Sequence, residues 1–142
     1  MIKSHENPVG EFTTGLVAQA GSFVIELFNN GTQVGYVGVN DDGYCVIVTS
    51  KSSALTFTAY VKDNTVYYQT QYQGSTKYLS VSDHIGARDY VGLFSWHGAT
   101  GWKQANNHLI SDYNNQALSM YSTDDGYLYA WDAYDVLDVT EV

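Results

Sequence analysis

The stretch STDDGYLYAWDAYDVLDV, residues 122–139, contains a four-residue phrase, Asp-Asp-Gly-Tyr, that also occurs in VNDDGYCVIV, residues 39–48. Each copy is flanked by short runs in which apolar residues alternate with others. Alternation with period two is the signature of a β-strand with one covered face. Asp-Asp-Gly between two such runs predicts a tight turn, with Gly43 and Gly126 supplying the positive φ that other residues resist.

Working outward from these two turns exposes a longer period. Strand-like openings at Phe23 ("FVIELF"), Val66 ("VYYQTQY") and Leu109 ("HLISDY" spans it) lie 43 residues apart. Polar turns follow ("NNGTQ", "QGST", "NNQ"), then "YVGV", "YLSV" and "ALSM", and after a second turn "GYCVIV", "DYVGLF" and "GYLYAW". Superposing the units places Val37 and Val39, Leu79 and Val81, and Leu118 and Met120 at equivalent inward positions. The next strand offers Cys45 and Ile47, Val91 and Leu93, and Leu128 and Ala130. Closing strands carry Leu55 and Phe57, Trp102, and Leu137 and Val139. Four short strands per unit and three units predict an all-β domain, a β-trefoil with three pseudo-repeats of about 43 residues. Its units are 23–65, 66–108 and 109–142, within a single domain 23–142. An N-terminal segment, 1–22, lies outside the repeat, partly loose, and "GEFTTGLVAQ" could add a strand or cover the barrel. The middle unit replaces Asp-Asp-Gly with the longer "SDHIGARD", which marks it for specialisation.

Composition narrows the function. The 142 residues hold six Lys+Arg against fifteen Asp+Glu, a net charge of −9, with Arg88 the only arginine. Nucleic acid and anionic membranes are poor partners for such a surface. No run approaches the roughly 18 apolar residues of a membrane span, so no membrane insertion is expected. "MIKSHENPVGEF" lacks the basic start and apolar core of a signal peptide, which predicts a cytoplasmic protein or one secreted without a recognisable signal. Cys45, the single cysteine, sits in an apolar alternation and reads as a buried structural thiol.

Catalytic signatures are missing from the sequence. It has no Gly-x-Ser-x-Gly turn, no His pair at metal spacing among His5, His84, His97 and His108, and no glycine-rich phosphate loop. Paired acids occur at Asp41 with Asp42, Asp124 with Asp125, and Asp132 with Asp135. Neighbouring turn carboxylates point apart, whereas glycoside hydrolysis needs two that face each other. Neither Asp-Asp-Gly turn matches a twelve-residue calcium loop. The chain is therefore read as non-enzymatic, without metal or cofactor.

Aromatic residues carry the positive signal. On the third strand of each unit, the face opposite the core positions holds Tyr44, Val46 and Val48, then Tyr90, Gly92 and Phe94, then Tyr127, Tyr129 and Trp131. The middle unit continues to Trp96 and His97. Rings beside Asp and Asn loops suit a sugar, whose C–H face a ring covers while carboxylates and amides take its hydroxyls.

With "VGLFSWHGATGW" (residues 91–102) and "YLYAWDAYDVLDV" (residues 127–139), the unit plan resembles the β-trefoil lectins, including the ricin-B type. That resemblance implies a sugar-binding Asp from an earlier turn, Asp83 in unit two and Asp125 in unit three. It implies a stacking aromatic at Phe94 and Trp131. Unit one has Asp42 but Val48 at the ring position. Of the family's closing Gln-x-Trp, only Trp102 is present, with Thr100 at the Gln position. "LISDYNNQALSMYSTDDGYLYAWDAYDVLDVTEV" is also similar to fascin and hisactophilin repeats, which implies an actin-binding alternative; actin's acidity disfavours it for a chain with few bases. A trefoil inhibitor or toxin adaptor is a third alternative, since loops of any sequence serve it.

The expected function is a lectin that binds glycans or glycoproteins at one to three shallow sites, with self-association into a homo-oligomer as one route to multivalency. The candidate ligand-binding residues are Asp83, His84, Phe94, Trp96 and His97 in the middle unit, and Asp125, Tyr129, Trp131 and Asp132 in the third.

Overall fold

The computed structural model describes residues 16–19, 21–82 and 88–142. The strands are β1 (Val17–Ala18), β2 (Ile25–Asn29), β3 (Thr32–Val39), β4 (Cys45–Val48), β5 (Thr58–Lys62), β6 (Thr65–Tyr72), β7 (Ser75–Ser82), β8 (Tyr90–Phe94), β9 (Trp102–Ala105), β10 (His108–Ser111), β11 (Leu118–Met120), β12 (Leu128–Ala130), β13 (Asp135–Val136) and β14 (Asp138–Glu141). The protein is all-β: among the described residues the helical elements are two single 3-10 turns, Lys51–Ser53 and Trp96–Gly98. One antiparallel sheet runs β14–β2–β3–β4. The other runs β1–β5–β6–β7–β8–β12–β11–β13, with β9 joined to β6 and β10 to β9. Within "GEFTTGLVAQ", Val17 and Ala18 form a strand, β1, in which Val17 pairs with Val61 and Ala18 with Tyr60. The looseness expected of the first residues lies outside the described ones.

The alternation read from the sequence places the core. Val37, Leu79, Leu118, Cys45, Val91, Leu128, Phe57, Trp102 and Leu137 are fully buried, and Val81, Leu93, Met120 and Ala130 join them in one cluster. Val39, Ile47, Leu55 and Val139, expected inside, are half-buried and pack against that cluster from its edge. Burial of side chains of this size stabilises by about 1.5–3 kcal/mol each, relative to leaving them exposed.

The two Asp-Asp-Gly turns adopt the conformation expected of them. Gly43 and Gly126 have φ of 85° and 77°, and each amide closes the turn by donating to a carbonyl, Asn40 at 3.1 Å and Ser122 at 3.2 Å respectively. Their purpose becomes visible one residue further on. Strands β4, β8 and β12 meet one another: Tyr44 bridges to Gly92, Val46 to Tyr127, and Tyr129 to Tyr90. Three amides pass their hydrogen bonds round in a cycle. Ile47 donates to the carbonyl of Gly126 at 2.8 Å, Leu93 to that of Gly43 at 3.0 Å, and Ala130 to that of Asp89 at 2.9 Å. In every case the donor lies three residues after a tyrosine and the acceptor one residue before another. Those tyrosines, Tyr44, Tyr90 and Tyr127, form a closed triangle of edge-to-face contacts with centroids 5.5–6.0 Å apart. Such pairs prefer edge-to-face geometry because each ring's positive edge meets its neighbour's negative face.

A second correspondence contains a substitution of chemistry. The carbonyls of Val37 and Leu118 each accept a backbone amide, from Leu55 and from Leu137, both at 3.0 Å. At Leu79, which the sequence spacing pairs with these two, the donor is the indole Nε1–H of Trp102, at 2.8 Å. Thr100, next to it, is fully buried; its hydroxyl accepts the Val81 amide at 2.9 Å and its own amide donates to Ser80 Oγ at 3.1 Å. Buried polar groups must be paired, and these are.

Candidate functional site

Asp125 and Tyr129 are brought together on the outer side of β12. The Tyr129 hydroxyl donates to Asp125 Oδ2 at 2.7 Å, while the Asp125 amide donates to Ser122 Oγ at 3.0 Å, so the turn and strand are tied to each other. Tyr129 itself corrects the sequence reading. It lies opposite Leu128 and Ala130, as alternation requires, but it is only 1% exposed and presents almost no surface to a ligand. Tyr90 covers one side at a centroid distance of 4.8 Å, and Tyr134 meets it edge-on at 5.1 Å. Burial pushes the Tyr129 phenol well above the usual tyrosine value, and the bond to Asp125 acts in the same direction.

Beyond Tyr129 lie residues that sequence reasoning missed. Tyr134 packs on Tyr121 at 5.0 Å, and Tyr121 is 62% exposed. On the Tyr90 side, the guanidinium of Arg88 stands 5.7 Å from the Tyr90 centroid and 5.8 Å from that of Tyr129. Tyr121 and Tyr134 sit in turns, where no period marks them. The surface is thus a buried tyrosine flanked by the half-buried Tyr90 and Tyr134 and, beyond Tyr134, the exposed Tyr121, with one carboxylate fixed to its hydroxyl.

Trp131 follows β12 and is half-buried. Its amide donates to the Ala117 carbonyl at 3.1 Å, and its carbonyl accepts from Ser119 Oγ at 2.9 Å. Asp132, exposed, accepts the Ala117 amide on Oδ1 at 2.7 Å and donates its own amide to Gln116 Oε1 at 2.9 Å. Its carboxylate therefore already serves the backbone. In the middle segment, Trp96 stands edge-on to Tyr67 at 5.0 Å and to Tyr78 at 5.7 Å, while Phe94 is half-buried and His97 exposed. Asp83 and His84 lie outside the described residues.

A concavity lies elsewhere. The β9–β10 hairpin, β2 and β14 enclose a cleft of about 470 Å³, floored by Ile25, Leu109 and Val139. Gln104 Nε2 donates to the Tyr68 hydroxyl at 2.6 Å and to Glu141 Oε2 at 3.2 Å on its wall. Burial raises the Tyr68 phenol strongly, opposed by the Gln104 bond and assisted by the Glu141 charge. His108 Nε2 lies 2.9 Å from Asp138 Oδ1 at the rim.

Cys45 is fully buried, and burial pushes its thiol far above the range at which a thiolate forms, so it has no nucleophilic character. Among the described residues no three His, Cys, Asp or Glu side chains gather as a metal site would require. No helix among them is long and apolar enough to cross a membrane. No family model matches the chain, and no curated protein matches it.

Proposed function

We propose that the protein is a non-enzymatic carbohydrate-binding domain, a lectin of β-trefoil architecture whose principal site is the outer face of β12. The trefoil reading is supported by the cycle of three inter-strand hydrogen bonds and the tyrosine triangle, each relating residues 23–65, 66–108 and 109–142 in the same way. The binding reading rests on one observation above all. A buried Tyr129 is hydrogen-bonded to Asp125 and meets Tyr134 edge-on, and Tyr134 in turn packs on the exposed Tyr121. Rings held rigidly at a surface cost little ordering on binding, which suits stacking on a pyranose. In this scheme Trp131, Tyr121 and Tyr134 offer ring faces, Asp125 accepts sugar hydroxyls on the carboxylate that Tyr129 orients, and Tyr129 is a positioning residue.

A monosaccharide covers little area and gives up well-solvated hydroxyls, so affinity per site is expected at roughly 0.1–1 mM. Useful binding then depends on multivalency, between sites or through self-association, toward glycans or glycoproteins. A glycan array with the purified protein tests the class. Trp131→Ala is expected to weaken the response by about tenfold or more while leaving the melting curve within a few degrees. An array silent for all glycans, or a Trp131→Ala variant that unfolds the domain while Asp125→Ala binds as before, overturns it.

A further inference from the structure

We propose that the cleft between the β9–β10 hairpin and strands β2 and β14 is a second saccharide site, taking a neutral pyranose ring. The proposal takes its ligand class from the function proposed above and adds a location that the aromatic face does not include. Its volume of about 470 Å³ lies within the range of small-molecule sites. Ile25 and Leu109 lie buried beneath it, and the half-buried Val139 is the apolar side chain its lining offers to a sugar's C–H face.

Polar groups on its wall are held in advance. Both Gln104 bonds, to Tyr68 and to Glu141, use Nε2, which leaves Oε1 to accept from a ligand hydroxyl. The contact of His108 Nε2 with Asp138 orients the imidazole and leaves Nδ1 for a ligand. Groups fixed before binding lose little freedom when they bind. Acids border this cleft, Glu141 in its lining and Asp138 beside it, and among the described residues no Lys or Arg lines it, so an anionic ligand is disfavoured.

The hairpin turn gives an independent reason. Two other tight turns of the molecule place glycine second, Asn30-Gly31 and Gln73-Gly74, with φ of 85° and 77° at the glycine. The β9–β10 turn has Asn107 there instead, at φ of 66°, after Asn106 at 53°. A side chain in the left-handed region costs stability that glycine avoids. Asparagine tolerates this region better than most side chains, and both turn residues line the cleft, so two side-chain amides stand at its edge where glycines would offer none.

The test is an amide-resolved NMR titration with methyl α-D-mannopyranoside, methyl β-D-galactopyranoside and N-acetylglucosamine, with N-acetylneuraminic acid as the anionic comparison. At least one neutral sugar is expected to shift the Asn106, Asn107 and Gln104 signals with millimolar affinity. Asn107→Gly is expected to keep or raise the melting temperature yet weaken that response by about tenfold, as the loss of a hydrogen bond to the ligand would. Trp131→Ala should leave the cleft response intact. Shifts confined to Trp131 and Tyr121, or a cleft response unchanged in Asn107→Gly, overturn the second site and leave the aromatic face standing. Cleft shifts without any at Trp131 and Tyr121 do the reverse. Silence at both removes both, and equal binding of the anionic sugar overturns the ligand class.

Discussion

The first and second Asp-Asp-Gly-Tyr turns share a glycine conformation and a central tyrosine and differ around them, the Gly43 amide reaching back three residues to Asn40 and the Gly126 amide four to Ser122. In both, the glycine sits at positive φ, its carbonyl accepts a bond from a neighbouring strand, and the tyrosine joins the central triangle. After the first turn, the outer face continues as Val46 and Val48; after the second, as Tyr129 and Trp131. Asn40 organises the first turn, its Oδ1 accepting the amides of Asp42 and Tyr44, and leaves Asp42 exposed to solvent. In the second, Asp125 is half-buried and takes the Tyr129 hydroxyl. What the turns have in common builds the scaffold, and what separates them is a candidate for function.

The largest test of that division compares Tyr129→Ala with Val46→Ala. Removing a buried ring that supports two others should cost about 3–5 kcal/mol, against about 1 kcal/mol for the half-buried valine. Chemical denaturation of both variants measures the difference, and equal costs would abolish the distinction. The shared part makes the opposite forecast. Gly43→Ala and Gly126→Ala meet no atom within 4 Å at the added carbon, so only the backbone conformation is charged for. Both should lose about 1–2 kcal/mol, and by similar amounts. A clear inequality would mean that the turns are not equivalent as scaffold.

The smallest effect appears at alkaline pH. Burial raises the folded-state phenol of Tyr129 above its unfolded value of 10.0. The unfolded chain therefore loses this proton first, so the contribution is fully present below pH 10 and is lost as pH rises beyond it. Tyr129→Phe should flatten part of that decline in melting temperature above pH 10, whereas Val46→Ala should follow the parent curve. Coincident curves for Tyr129→Phe and the parent would show that Tyr129 is not the group responsible.

The core was legible because alternation reports which face is covered: Val37, Leu79 and Leu118 were placed by period alone and are all fully buried. The turns were legible through Gly43 and Gly126. Alternation does not report what a residue meets on the far side, and here the reading of Tyr129 as a lining residue failed. Tyr90 arrives from another strand and Tyr134 from a later turn, so its outward face is covered by chain that no local pattern connects to it. The exchange of an amide for the Trp102 indole was equally hidden, since it depends on a distance rather than on a spacing. The cleft behind Asn106 and Asn107 is assembled from the β9–β10 hairpin and three strands distant from it in the chain or from one another, β2, β6 and β14, so no local pattern joins its walls.

The cyclic hand-over of amides among β4, β8 and β12 has a bearing on how the molecule is made. Each link needs its two partners, and the set is incomplete until Ala130 has reached Asp89 and Gly126 has received Ile47. A chain emerging from the ribosome can pair β2 with β3 and β6 with β7 as local hairpins, but the junction has to wait for residues near 130. Contacts of such sequence separation slow folding, because the entropy of closing long loops is spent before the contacts return it. Until then the apolar sides of the early hairpins face solvent, and the growing chain passes through an interval in which it depends on being kept from its neighbours.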